Sequence, residues 1–275
     1  MTILSSRRSG PASSTPLVLL HAMPLDSTMW DRVRSILSEC DILTIDAPGF
    51  GASGTGEELQ ARFGYEKPAI GAIVQGVHEV TQSLGLTRFA LGGLSMGGTV
   101  AAAYTMRYPR EIAGLALMDT NIGTDLPEHR QMRIDGIAAA EAGDGYSSVK
   151  DWVTTMTSPT SSQQVRASLD ERFHRLSNPG LAWLQKALMT RPDSTAAVEA
   201  FDGPLLVERG EDDSTTTHQQ LVEWAARHPG TRVVEIPQAG HFVADEQPEA
   251  LADVLREFYS DVLESEAARN QSESI

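Results

Sequence analysis

Short, nearly continuous apolar runs separated by stretches of helical periodicity constrain this chain more than any other feature. The runs are Pro16–Leu20, Ile42–Ile45, Phe89–Leu91, Gly114–Met118, Pro204–Val207 and Thr231–Ile236. Unbroken apolar character is the pattern of strands covered on both faces, as in a parallel sheet. Between them, Lys67–Leu84 sets Ile70, Ile73, Val74, Val77 and Val80 at helical spacing, and Pro109 stops the stretch Met96–Tyr108. Leu251, Val254, Leu255, Phe258 and Val262 mark one face of a last helix that begins near Pro248. This alternation predicts an α/β fold, a doubly wound and mostly parallel sheet with right-handed crossovers.

The alternation fails between Asn121 and Phe201. Helical patches occur there, at Gly136–Ala142, Val149–Met156, Val165–Leu176 and Leu181–Met189, with Gly-, Ser- and Pro-containing breaks between them and no convincing strand. A segment of roughly eighty residues is too long for a structureless loop in a compact domain. Residues 121–201 are therefore expected to form a helical insertion in a core made of 1–120 and 202–263. The polar residues 264–275 are expected to fray or be disordered.

Charge removes some function classes. The formal net charge of −15 over 275 residues, with no compensating basic block, disfavours nucleic acid and anionic membranes as partners. Cys40 is the only cysteine, so an intramolecular disulfide and a Cys-rich metal site are excluded, and its place before Ile42–Ile45 suits a small buried hydrophobe. Met1–Ser14 has an arginine pair but no apolar run after it, unlike a signal peptide. Phe89–Met106 carries no charge, yet Gly92-Gly93 and Gly97-Gly98 would break a spanning helix. A cytoplasmic protein with no membrane partner is expected; association into a homodimer is left open.

Gly93-Leu94-Ser95-Met96-Gly97 fits G-x-S-x-G, a weak pattern alone that gains weight from the strand before it and the uncharged Ala-rich helix after it. On so tight a strand-to-helix turn, glycines two residues to either side avoid collisions that any Cβ would make. The turn presents the Ser95 hydroxyl at the carboxyl end of the sheet, beside helix N–H groups that favour a developing oxyanion. Among seven histidines, His241 lies in a loop after a strand at that same end, where it can accept the Ser95 proton. Glu208-Arg209-Gly210-Glu211-Asp212-Asp213 follows the previous strand and offers an acid to orient His241; spacing does not separate its late acids.

From Pro16 to Phe258 the chain resembles the α/β-hydrolase superfamily. His21-Ala22-Met23-Pro24 resembles its His-Gly-x-Pro oxyanion loop, Asp46–Ser53 the following loop, Gly92–Gly98 its nucleophile elbow and 121–201 its helical cap. The resemblance implies that Asp213, closing Gly210-Glu211-Asp212-Asp213, is the triad acid with Ser95 and His241. It also implies that the backbone N–H groups of Met23 and Met96 form the oxyanion hole, and that His21 shapes the loop. Ala22 departs from the usual Gly, which would cost about 1 kcal/mol if φ there were positive. Asp119, at the end of its strand, is the rival acid by the same resemblance.

A serine at the elbow excludes the dehalogenase branch, which carries Asp there. No dinucleotide fingerprint, P-loop or paired-histidine spacing occurs, so neither cofactor nor metal is expected. The expected function is hydrolysis of a carboxylic ester or lactone, a small-molecule substrate, through an acyl-enzyme, in the carboxylesterase and enol-lactonase branch. Acyl transfer, perhydrolysis and carbon–carbon hydrolysis use the same triad, and a non-catalytic binder of this fold is the rival from another class. Trp152, Val153, Met156, Leu184 and Met189 are expected to wall an apolar pocket for short, uncharged acyl groups.

Overall fold

Leu17–Leu20, Ile42–Ile45, Phe89–Leu94 and Ile112–Met118 are buried along their whole lengths. Such runs form strands only where helices cover both faces of the sheet. A computed structural model describes residues 2–273 apart from 126 and 128. Among the described residues, β1 (Ser6–Ser9), β2 (Leu17–Leu20), β3 (Ile42–Ile45), β4 (Phe89–Leu94), β5 (Ile112–Met118), β6 (Leu205–Gly210) and β7 (Arg232–Ile236) make one sheet in the order β1-β3-β2-β4-β5-β6-β7. Every pairing is parallel except β1 with β3. The fold is α/β and mostly parallel, as the apolar runs predict.

The helices before β5 are α1 (Asp31–Ile36), α2 (Gly56–Phe63), α3 (Ile70–Ser83) and α4 (Met96–Arg107). α5 (His129–Glu141), α6 (Gly145–Val149), α7 (Trp152–Thr155), α8 (Gln163–His174), α9 (Asn178–Met189) and α10 (Thr195–Glu199) lie between β5 and β6. α11 (His218–Arg227), α12 (Val243–Glu246) and α13 (Pro248–Glu273) complete the chain. α4 packs against β2, β4 and β5 with α3 beside it, while α13 packs against β5 and β7 with α1 beside it. Gly114 permits the second contact, because a Cβ there would strike Val262 and Phe258. No helix among the described residues is long and apolar enough to cross a membrane.

The structure departs from the sequence reading at both ends. Ser6–Ser9 is polar and mostly exposed, yet it forms an antiparallel edge strand on β3. Arg8 anchors it through the buried Asp41 at 2.6 Å, and a short charged edge of this kind resists pairing with other chains. The polar tail, expected to fray from Glu264, instead continues α13 through Glu273. Glu266 is only 7% exposed and pairs with Arg88 at 2.7 Å, so one long-range ion pair holds a turn that composition alone marks as loose. Residues 274 and 275 lie outside the described residues.

Candidate active site

Ser95 sits between β4 and α4 with φ 55° and ψ −115°, a conformation that L residues rarely adopt. Its neighbours hold it there. Ser95 N–H donates to Met118 O at 2.8 Å, and Thr120 Oγ1 donates to Ser95 O at 2.7 Å. A Cβ on Gly93 would strike the Gly97 backbone, and one on Gly97 would strike the Leu20 carbonyl. The two flanking glycines are thus the steric condition for the turn. Ser95 lies at the N-cap of α4 and Met96 opens that helix, among backbone N–H groups with no intrahelical partner.

Facing the turn is the loop after β2. His21 is buried with both ring nitrogens engaged: Nδ1 donates to Ala22 O at 2.9 Å, and Nε2 accepts from Ala47 N–H at 2.8 Å. Burial drives its pKa down, which suits a neutral strut between the loops after β2 and β3. The buried Asp46 ties the same loops by accepting Ser27 N–H at 2.7 Å. Ala22 is absent from the residues of positive φ, so its replacement of glycine imposes no left-handed strain. Met23 and Met96 both line the cavity above Ser95.

His241 enters that cavity from the loop after β7. Its N–H bonds to Met156 O at 2.7 Å, and its Nδ1 lies 3.1 Å from Asp213 Oδ1 and 3.0 Å from Thr215 Oγ1. Asp213 also accepts from the N–H groups of Thr215 and Thr216, each at 3.0 Å, and from both threonine hydroxyls. These donors and His241 hold its carboxyl far below the usual range despite burial. Thr215 and Thr216 escaped the sequence reading, although hydroxyl residues two and three positions after an aspartate are a recognisable local-turn signal.

The rival acids have bonds of their own. Asp212 accepts from Ser158 Oγ at 2.6 Å. Asp119, at φ 42°, accepts Gly210 N–H at 2.9 Å. Burial, with the charges of Glu208 and Asp213 beside it, pushes Asp119 well above the carboxylate range. Asp119, Asp213 and His241 each bring one donor atom within 4.8 Å of the others, a spacing a metal ion could use. The Asp213 oxygens are already spent on the imidazole and the two threonines, which makes this a hydrogen-bonded acid–imidazole pair.

Glu208, on β6, is buried, and neither of its carboxyl oxygens has a hydrogen-bond partner. Burial, then the Asp213 charge, pushes it up to about 8. The folded chain therefore keeps a proton that the unfolded chain releases, so stability is lost as pH rises toward and through that value. Glu208→Gln removes the ionisation. Thermal unfolding should show the variant gaining on wild type between about pH 5 and pH 9, by up to about 4 kcal/mol or roughly 8–16 °C. A gap that stays constant with pH would contradict a buried neutral acid at this position.

The cavity measures about 300 Å³. Trp152, Met156 and Leu188 give it apolar wall from the segment between β5 and β6, and His129, Arg133 and Arg191 line it too. Of the five residues expected to wall it, Trp152 and Met156 do so. Val153 and Leu184 are instead buried in the hydrophobic core, and Met189 is not among the lining residues. An apolar periodicity marks which residues are buried but does not separate a pocket wall from a helix–helix contact. The expectation of a wholly apolar pocket is corrected by the two arginines.

Comparison with known proteins follows the same lines. The family described as alpha/beta hydrolase fold matches residues 15–248. A 2-succinyl-6-hydroxy-2,4-cyclohexadiene-1-carboxylate synthase of Enterobacter sp. is 28% identical over 265 residues, covering 93% of this chain and 95% of that protein. The malate-bound structure of a thermophilic esterase from Thermogutta terrifontis is 28% identical with a TM-score of 0.83, covering 94% of this chain and 93% of the other. The enol-lactonase of Burkholderia xenovorans LB400 is 24% identical with a TM-score of 0.78, covering 94% and 96%, a likeness of fold.

Proposed function

The chain belongs to the alpha/beta hydrolase fold family and is a hydrolase, and we propose that it cleaves a carboxylic ester or lactone through an acyl-enzyme formed on Ser95. The observation that carries this reading is one cavity lined by both the strained Ser95 and the Asp213-paired His241. Likeness to an esterase over nearly the whole chain supports it.

In this mechanism Asp213 and Thr215 hold Nδ1 of His241 as the protonated nitrogen, which leaves Nε2 free to take the Ser95 proton. Ser95 Oγ then attacks the carbonyl, and the N–H groups of Met23 and Met96 receive the oxyanion. Imidazolium returns the proton to the leaving alcohol. Water, activated by the same imidazole, releases the acid and restores Ser95. The segment 121–201 serves as a cap that closes this chemistry off from solvent.

A fluorophosphonate probe should label the protein once, at Ser95, and p-nitrophenyl acetate should be turned over. Peptide mapping after labelling locates the adduct. Labelling at another serine, or no labelling and no turnover, would refute the assignment.

A further inference from the structure

Arg133, on α5, and Arg191, just past α9, both line the Ser95 cavity while only 6% and 7% exposed. Among the described residues they share a single counter-ion. Arg133 Nε and Nη2 lie 2.6 and 2.8 Å from the two oxygens of Asp125, and Arg191 Nη1 lies 3.1 Å from one of them. Their other partners are neutral: Gln185 Oε1 at 2.9 Å, Gly123 O at 2.9 Å and Thr124 O at 3.3 Å. Among the described residues, two guanidiniums against one carboxylate leave one net positive charge on this wall.

Among the described residues that line the cavity, Asp119 is the one other acid. Burial, with Glu208 and Asp213 beside it, raises Asp119 well above the carboxylate range, and the Asp213 carboxylate, bonded to His241 and two threonines, is not among the lining residues. A guanidinium does not shed its proton at ordinary pH, so an incompletely paired one stays charged and costly to bury. The chain as a whole is at −15, but that distant negative surface is screened over about 8–10 Å of saline solution. Inside the cavity the near charges decide.

We propose that this cavity takes an ester or lactone bearing a free carboxylate, seated on the Arg133–Arg191 pair, with dicarboxylic half-esters as the substrate class. The proposal rests on the serine-hydrolase reading above. A compact cavity of about 300 Å³ is roughly 8 Å across, which sets the carboxylate about three to five bonds from the scissile carbonyl. In the reaction the acyl C–O bond breaks, water supplies the new carboxyl oxygen, the alcohol leaves with a proton, and a dicarboxylate forms. Both guanidiniums keep N–H groups beyond those already bonded, so the carboxylate gains charge-assisted hydrogen bonds without dismantling the Asp125 bridge.

Two esters of one acid test this, monomethyl glutarate with its free carboxylate and uncharged dimethyl glutarate, with hydrolysis followed in a pH-stat. Wild type should favour the monoester in kcat/KM by about tenfold or more. Arg191→Met should lower that preference at least about tenfold, and Asp125→Asn, which removes the counter-charge, should raise it. A wild-type preference for the diester, or an Arg191→Met loss equal for both esters as for a mere strut, would overturn the proposal. Calorimetry on Ser95→Ala with glutarate against glutaramide separates the two readings. Tighter binding of glutarate where wild type cleaves no ester sinks the hydrolase reading and supports the carboxylate site. Ester cleavage with no preference for glutarate does the reverse.

Discussion

Ser95→Ala is expected to lose about 10⁶-fold in kcat on any ester the wild type cleaves, and to lose fluorophosphonate labelling altogether. The size follows from removing the nucleophile, so the acyl-enzyme path closes and only binding and oxyanion stabilisation remain. The fold should survive. Ser95 holds its turn through its backbone N–H and C=O, to Met118 and from Thr120, which alanine retains. Alanine pays the same positive-φ cost as serine. Comparing turnover with the thermal midpoint checks both halves, and more than roughly a tenth of wild-type kcat in the variant would remove Ser95 from the mechanism.

Asp213→Asn should cost on the order of 10⁴-fold in kcat. An amide there can donate to Nδ1, which favours the tautomer with its proton on Nε2, the nitrogen that must accept from Ser95. Asp119→Asn should stay within about tenfold of wild type, because an amide oxygen can still accept Gly210 N–H and burial already disfavours the charge the substitution removes. Asp212→Asn should be milder still, since its carboxylate is engaged by the Ser158 hydroxyl and not by the imidazole. Steady-state kinetics on the three variants ranks the acids. A crippled Asp119→Asn beside a mild Asp213→Asn would move the acid to the end of β5.

Local pattern made the central strands and the elbow legible, because unbroken apolar runs and paired glycines record local constraints. Leu17–Leu20 and Ile42–Ile45 have few alternatives to a buried strand, and Gly93 and Gly97 answer to contacts within one turn. What stayed hidden depends on partners distant in the chain. Ser6–Ser9 has no apolar periodicity and is a strand only because β3 offers a free edge. Glu266 is buried only because Arg88 reaches it. Nothing in the sequence around Arg133 or Arg191 marks the Asp125 that draws both into one wall. Of the candidate site, the three polar groups and their order along the chain could be read; the charge of the pocket could not.

The interruption of the sheet also dictates an order of assembly. Everything that shapes the elbow, including β2, β4, β5 and Thr120, precedes the long segment from α5 to α10, whereas Asp213 and His241 follow it. β5 and β6 are neighbours, Leu115 opposite Leu205, yet closing the chain between them carries a loop-entropy cost of about (3/2)RT ln n before that pairing contributes. A chain leaving the ribosome amino end first can thus complete its strained serine while the base is still unmade. In the proposed mechanism, Ser95 has nothing to take its proton until the chain beyond β5 has brought Asp213 and His241 into place.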